Sequence, residues 1–302
     1  MTRSTSPRRV AGPADPGAAE LAVVIVNYDT GDYLERCLRS LAEHRGDIET
    51  DVLIVDNDSR DGSHTRAVAA HPWARLIENH TNIFLSPAWN QGIRETKAPW
   101  ILLLNPDTEW WAGTLADLVA IARAHPRPGI VGPLVRNSDG TIYPSGRPFP
   151  SVTDALGHAF LGTVAPGNRF TRRYHLDGWD RTTAREVDWV SGCCMLVPRE
   201  ALDQVGGLDE RFPLYGEELD LATRLRAVGR SVVYTPAVEI VHEVGVSTGR
   251  GHRVLVTHSN SIYRYYRLHR AAGWRRATLP LAWVALRLRA ELEWLRGRVA
   301  AR

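Results

Sequence analysis

Four polar clusters hold the side chains able to do chemistry. The first is Asp56-Asn57-Asp58-Ser59-Arg60-Asp61-Gly62-Ser63. A carboxylate there can accept from a pyrimidine imide N–H or from ribose hydroxyls, and the same residues equally suit an Asx turn that caps the next helix. The second is Asn105-Pro106-Asp107-Thr108. Two short oxygen-bearing side chains, one residue apart on a rigid turn, can face a single divalent cation, because Mg²⁺ and Mn²⁺ share carboxylates with substrate phosphates. A plain turn with a helix N-cap fits as well. The third is Tyr215-Gly216-Glu217-Glu218-Leu219-Asp220. A helix start favours one or two acids; crowding three raises the proton affinity of one of them, a usual route to a general base. The fourth is Val241-His242-Glu243, a lone histidine past a strand, which structure alone can explain.

These clusters sit where strands and helices must hold them. Leu21–Val26, Asp51–Val55, Arg75–Glu78 and Trp100–Leu104 are apolar runs of the kind buried on both faces of a parallel sheet. Helical spacing predicts helices over Asp32–Ala42, Ser86–Glu95 and about Ala112–Ala124 between and after them. Strand alternating with helix means an α/β fold with right-handed crossovers, and open sheets of this kind bind ligands at the carboxyl ends of their strands. No GxGxxG follows the first strand, so a dinucleotide fold of the usual design is excluded. Residues from Arg136 to Asp188 read as loop-rich. Beyond them come Val187–Val190, a strand at Cys194–Val197, helices at Arg199–Val205 and Glu217–Val228, and a strand at Ser231–Tyr234. From Thr257 the sequence reads as helical with a break at Pro280.

Composition narrows the class. A chain of 302 residues can bury one large α/β core, or two subdomains sharing a sheet. A formal net charge of +3 is too small to imply nucleic acid, and Lys97 is the only lysine. Cys37, Cys193 and Cys194 form neither a CxxC site nor a disulfide framework, which points to a reducing, cytoplasmic setting. No uninterrupted apolar run of about 18 residues exists, so no spanning helix is expected. Residues 1–19, rich in Ser, Pro, Gly and Ala, read as a disordered N-terminal tail.

The four clusters in this order resemble the inverting family 2 glycosyltransferases with the GT-A fold, and within them the rhamnosyltransferase-like branch that builds bacterial cell-surface polysaccharides. The resemblance rests on Val24-Ile25-Val26-Asn27-Tyr28, the Asp56 cluster, Leu104–Thr108, Trp189-Val190-Ser191-Gly192-Cys193, Gly206–Phe212, Tyr215–Leu221 and His242–Ser247. It spans about Leu21 to Gly249. It implies a Rossmann-like, mostly parallel nucleotide-binding sheet fused to an acceptor-binding half, with C-terminal helices: a GT-A catalytic domain over 20–255 (nucleotide-sugar half 20–135, acceptor half 136–255) and a helical segment over 256–302.

What the resemblance implies for the site is specific. Asn27 and Tyr28 line the base pocket, Asp56 holds the pyrimidine or ribose, and Asn57, Asn90 and Asn105 belong to the nucleotide side. Asp107 binds Mg²⁺ or Mn²⁺, and His242 is its second protein ligand. Glu218 is the base that deprotonates the acceptor hydroxyl; Ser191, Gly192, Glu217 and Asp220 lie in the sugar and acceptor region. The implied reaction is a hexosyltransferase-type single displacement from a dTDP- or UDP-sugar to a hydroxyl of a glycan, a lipid-linked glycan or a small molecule.

Departures from the pattern are visible. In Asn82-Ile83-Phe84-Leu85-Ser86-Pro87-Ala88-Trp89-Asn90-Gln91-Gly92 the positions of Phe84 and Ala88 are usually glycine, and the added side chains are expected to narrow the donor pocket. They also motivate the alternative of a catalytically silent sugar-nucleotide-binding module. Asn105 replaces the first acid of the usual D-x-D, and Glu218 replaces a commoner Asp. A nucleotidyltransferase would need a Gly- and Arg-rich loop where Asn27-Tyr28-Asp29-Thr30 stands. At the C-terminus, Leu281, Val284, Leu288, Leu292 and Leu295 recur at helical spacing beside Arg287, Arg289, Arg296 and Arg298, a pattern that fits peripheral contact with the inner face of a membrane, packing on the catalytic domain, or a homodimer.

Overall fold

The computed structural model describes residues 7–10, 19–149, 178–243 and 252–300, with residues 165, 167, 168, 172 and 176 between them. The chain builds β1 (Arg8–Val10), β2 (Leu21–Asn27), α1 (Tyr33–Glu43), β3 (Thr50–Asp56), α2 (Ser63–Ala70), β4 (Arg75–Glu78), α3 (Leu85–Arg94), β5 (Trp100–Leu104), β6 (Thr108–Ala112), α4 (Leu115–Ala124), β7 (Pro128–Arg136), β8 (Ile142–Tyr143), β9 (Arg185–Val187), β10 (Cys194–Pro198), α5 (Arg199–Val205), α6 (Glu217–Ala227), β11 (Ser231–His242), α7 (His252–Tyr265) and α8 (Leu279–Ala300). A π turn (Tyr266–Arg270) and a 3-10 turn (Gly273–Thr278) join the last two helices.

All the strands belong to one sheet, in the order β1-β4-β3-β2-β5-β10-β7-β11-β6, with β8 on β7 and β9 on β11. Strands β2 to β5 run parallel to one another, and β10 enters antiparallel to β5. The register aligns the polar strand ends: Asn27 lies opposite Asp56, Asp56 opposite Glu78, and Ile25 opposite Leu104. Two apolar cores, one on each face, pack the helices to the sheet. Helix α3 comes so near β2 that a Cβ on Gly92 would stand 2.3 Å from Val24 Cγ1; only glycine allows that approach.

Several expectations need correction. Part of the expected disordered tail, Arg8–Val10, pairs antiparallel with β4 as an edge strand. Ala112, the expected start of a helix, instead ends the strand Thr108–Ala112; α4 starts after Thr114, whose side chain forms a capping box with Asp117. Strand β7 was not foreseen, since Pro128, Gly129, Gly132 and Pro133 interrupt its apolar pattern. Strand β11 runs eight residues past Tyr234 because Pro236 sits in a bulge between Thr235 and Glu239. Pro280 begins α8 instead of breaking a helix, at a position whose missing N–H no helical bond requires. The halves expected at 20–135 and 136–255 interleave, because β6 and β7 lie beside β10 and β11. Most of the loop-rich stretch (150–164 and parts of 166–177) and the 244–251 end of the histidine motif lie outside the described residues.

Candidate active site

At the carboxyl ends of β2 and β3, short polar side chains are knitted together. Asn27 Nδ2 donates to Asp56 Oδ1 at 2.7 Å and to the hydroxyls of Ser59 and Ser63, while its Oδ1 accepts from Thr30. Asp56 also accepts from the Ser59 N–H and hydroxyl, and His64 Nδ1 lies 3.4 Å away. Asn27 is 0% and Asp56 1% exposed. In this arrangement the two hold the turn, the geometry of an Asx turn. Tyr28, the next residue, is the exposed one, at 37%.

Asn57 continues the network. It donates to the Phe84 carbonyl and accepts from Asn79, which in turn exchanges hydrogen bonds with Gln91. Nothing in the sequence pattern marked Asn79. Phe84 is half-exposed in the left-handed region (φ +68), where the glycine of related sequences carries no strain. Ala88 is wholly buried in the core, so its methyl does not narrow a pocket. Asn90, expected on the nucleotide side, clamps the 208–210 turn: its Nδ2 donates to the Leu208 carbonyl and to Glu210, and its Oδ1 accepts from the Leu208 N–H.

A second cluster forms where β5 ends. Its turn, Asn105-Pro106-Asp107, connects β5 to β6, and β6 pairs antiparallel with β11 so that Thr108 lies opposite His242. The Asp107 carbonyl accepts from the Glu243 N–H. Residues 135 positions apart therefore meet, with Asp107 Oδ1 3.2 Å from His242 Nε2. Asp107 is 7% exposed, and this Oδ1 is buried without a hydrogen bond. A buried carboxylate oxygen left unsatisfied beside an imidazole nitrogen fits a site for a hard divalent cation. Among the described residues no third His, Cys, Asp or Glu joins them, so further ligands would come from substrate or water. Asn105 is partly exposed next to this pair, and its N–H donates to the Cys193 carbonyl.

Ser191, Gly192 and Cys193 bridge to the third cluster. The Ser191 N–H donates to the Ser145 carbonyl, and a Cβ on Gly192 would meet Glu218 Cβ at 3.5 Å and Glu217 Oε1 at 3.6 Å. Burial pushes the Cys193 thiol up to about 12, and the charges of Asp107 and Glu218 push the same way. Cys193 therefore lies within electrostatic reach of both acids. All three cysteines are free, buried and out of reach of redox chemistry in this arrangement.

Left-handed Tyr215 (φ +67) and Gly216 (φ +82) turn the chain into α6 and put Glu217 and Glu218 on its first turn. Burial raises the Glu218 carboxyl, while backbone N–H groups at the helix start and the Arg147 guanidinium pull it back. Burial, then the Glu218 charge, raises Glu217 well above the carboxylate range. Glu217 thus takes the proton first and leaves Glu218 as the charged member. Each has an Oε2 buried without a hydrogen bond. Asp220, expected in the acceptor region, is instead paired with Arg224 at 2.7 Å and His269 at 2.7 Å, pinning the C-terminal segment to α6. Arg147, absent from the expected set, stacks within 5.1 Å of the Trp189 ring centroid and supplies positive charge to Glu218.

Comparison with known proteins fits this geometry. Residues 22–206 match the family model for Glycosyl transferase family 2. The chain belongs to glycosyltransferase family 2. This transferase is 38% identical over 296 residues to the N-acetylglucosaminyl-diphospho-decaprenol L-rhamnosyltransferase of Mycobacterium tuberculosis, covering 93% of this chain and 91% of the relative. It is 24% identical over 229 residues to the rhamnosyltransferase WbbL of Escherichia coli K12, covering 73% of this chain and 82% of that one. Its fold resembles GalNAc-T7 solved with UDP, GalNAc and Mn²⁺ (TM-score 0.62, 14% identity, 91% of this chain and 54% of the other). It also resembles the mannosyltransferase PcManGT of Pyrobaculum calidifontis solved with GDP-Man and Mn²⁺ (TM-score 0.57, 19% identity, 97% and 78%). The fold is GT-A, and the transferase is an inverting glycosyltransferase that uses a nucleotide-sugar donor.

Proposed function

We propose that the transferase moves L-rhamnose from a nucleoside-diphosphate donor to a hydroxyl of an N-acetylglucosaminyl diphosphate carried on a lipid. The observation that carries this reading is the relative named for that reaction, aligned over 93% of the chain at 38% identity. The matched span includes every cluster described above. Asp107 and His242 would hold a divalent cation, Mg²⁺ or Mn²⁺. When bound, the cation offsets the negative charge that grows on the departing diphosphate. Tyr28 and the rim beside it face the nucleotide, and the Asn27–Asp56 network keeps that rim rigid.

Glu218 takes the proton from the acceptor hydroxyl as its oxygen attacks the anomeric carbon. Glu217, neutral beside it, leaves that charge on a single carboxylate. The attack breaks the bond to the diphosphate and inverts the anomeric centre in one displacement, with no covalent enzyme adduct. Purified transferase given dTDP-rhamnose, Mn²⁺ and a short-chain lipid-diphosphate N-acetylglucosamine should yield one disaccharide product. Turnover of another nucleotide sugar with this acceptor, and none of dTDP-rhamnose, would reject the donor assignment.

A further inference from the structure

The C-terminal segment differs from the rest of the chain in charge and in what it leaves uncovered. Residues 252–302 carry eleven arginines and two glutamates, a formal +9, whereas the remainder carries −6 within the total of +3. Helix α8 packs against α7 through one side, where His252 meets Glu291 at 2.8 Å and the Trp294 ring at 4.9 Å, and Ala290 is buried. On the other side Leu281, Val284, Leu288, Leu292 and Leu295 are all exposed, by 45% or more. Their spacing of three and four residues keeps them within about 80° of arc. Trp274, in the turn that precedes α8, is 78% exposed. Arg275 and Arg276 beside it are exposed, and among the described residues no carboxylate pairs with either.

An apolar stripe of this size on a monomer marks a contact surface. Its surround of arginine decides between occupants. A second copy would bring an equally basic segment against this one, whereas an anionic phospholipid surface offers hydrocarbon for the leucines and phosphate for the guanidinium groups. No helix among the described residues is long and apolar enough to cross a membrane, so contact lies in the interface. We propose that α8 and the Trp274 turn form a docking surface for an anionic lipid bilayer. The surface is coupled to the site: Asp220–His269, the Thr223–Tyr265 hydroxyl contact at 3.0 Å and Ser261 donating to the Leu214 carbonyl tie this segment to α6, which carries Glu218. The inference stands on charge and exposure and does not depend on the rhamnosyl reading.

The test is co-sedimentation of the full chain with phosphatidylglycerol/phosphatidylcholine vesicles and with pure phosphatidylcholine vesicles. Binding to the anionic vesicles should be at least roughly tenfold stronger, given about fivefold per arginine at the surface, and should weaken as salt rises. The double variants Arg275→Glu/Arg276→Glu and Trp274→Ser/Leu288→Ser alter exposed side chains, so their melting temperatures should match wild type while anionic-vesicle binding falls at least tenfold. Glu218→Gln should bind vesicles as wild type does, which separates this proposal from any failure of the transfer reaction. Equal affinity for both vesicles, or binding to neither, would overturn it. So would a dimer in sedimentation equilibrium that Trp274→Ser/Leu288→Ser dissolves.

Discussion

The polar group at the ends of β2 and β3 and the one at the ends of β5 and β11 look alike as sequence but are opposite in their hydrogen bonding. The side-chain polar atoms of Asn27 and Asp56 themselves find protein partners and are sealed from water, although His64 Nδ1 beside them has no hydrogen bond. Around Asp107, Glu217 and Glu218 each carboxylate keeps a buried oxygen with no hydrogen bond. A satisfied buried network contributes stability and fixes geometry, whereas an unsatisfied one costs stability and persists where a ligand completes it. The first region is closed on itself; the second is the one left open for the roles proposed above.

The contrast is sharpest if each region is cut once. Asp107→Ala should lower transfer by on the order of 10³-fold, comparable to removing a main electrostatic stabiliser of the departing group, and chelation of Mg²⁺ and Mn²⁺ should produce a similar loss in wild type. Its urea midpoint should stay near wild type, because no hydrogen bond to Oδ1 is lost. Next, Glu218→Gln should reduce turnover by roughly 10²–10⁴-fold with nucleotide binding retained in calorimetry. The wild-type rate should rise with pH through the raised Glu218 value, since the base must be ionised, and the residual rate of the variant should lack that limb.

Asp56→Ala reverses the pattern: a loss of about 1–3 kcal/mol in urea unfolding, from stranding Asn27 Nδ2 and the Ser59 donors, and a smaller effect on turnover. Equal destabilisation by Asp107→Ala and Asp56→Ala would abolish the distinction. The smallest effect is that of Glu217→Gln. Because the folded state raises this carboxyl, it binds more protons than the unfolded chain once pH exceeds the ordinary carboxylate value. Stability is therefore fully present in acid and declines as pH rises towards the raised value. The amide removes that decline, so the variant should unfold at higher urea than wild type at pH 7 and at about the same urea near pH 4.

The parallel half of the sheet was legible because β2, β3, β4 and β5 are continuous apolar runs that end in turn residues. Strands β6, β7 and the end of β11 were not, since Trp110-Trp111 reads equally as helix and prolines mask the others until neighbouring strands accommodate them. Cluster order singled out Asp107, His242 and Glu218, and the structure brings the first two within 3.2 Å of each other, but residue type cannot tell a carboxylate held by its own turn from one left open. The partners of Asn90 and Asp220 were hidden for that reason, Leu208 and His269 being 118 and 49 residues away. Arg147, in a stretch without periodicity, carried no signal that a lone arginine would act on Glu218.

The bulge in β11 also sets phase. Opposite β7, Thr235 pairs with Pro133 and Glu239 with Leu134, so three residues loop out before pairing resumes. Side chains alternate faces along a strand, so a one-residue slip in the pairing of 239–242 would turn the imidazole of His242 to the far side of the sheet. Such a chain would keep every residue type and a near-native sheet, yet His242 would no longer meet Asp107. The pairing of Glu239 with Leu134, made possible by the bulge, therefore decides whether the imidazole of His242 and the carboxylate of Asp107 share one face.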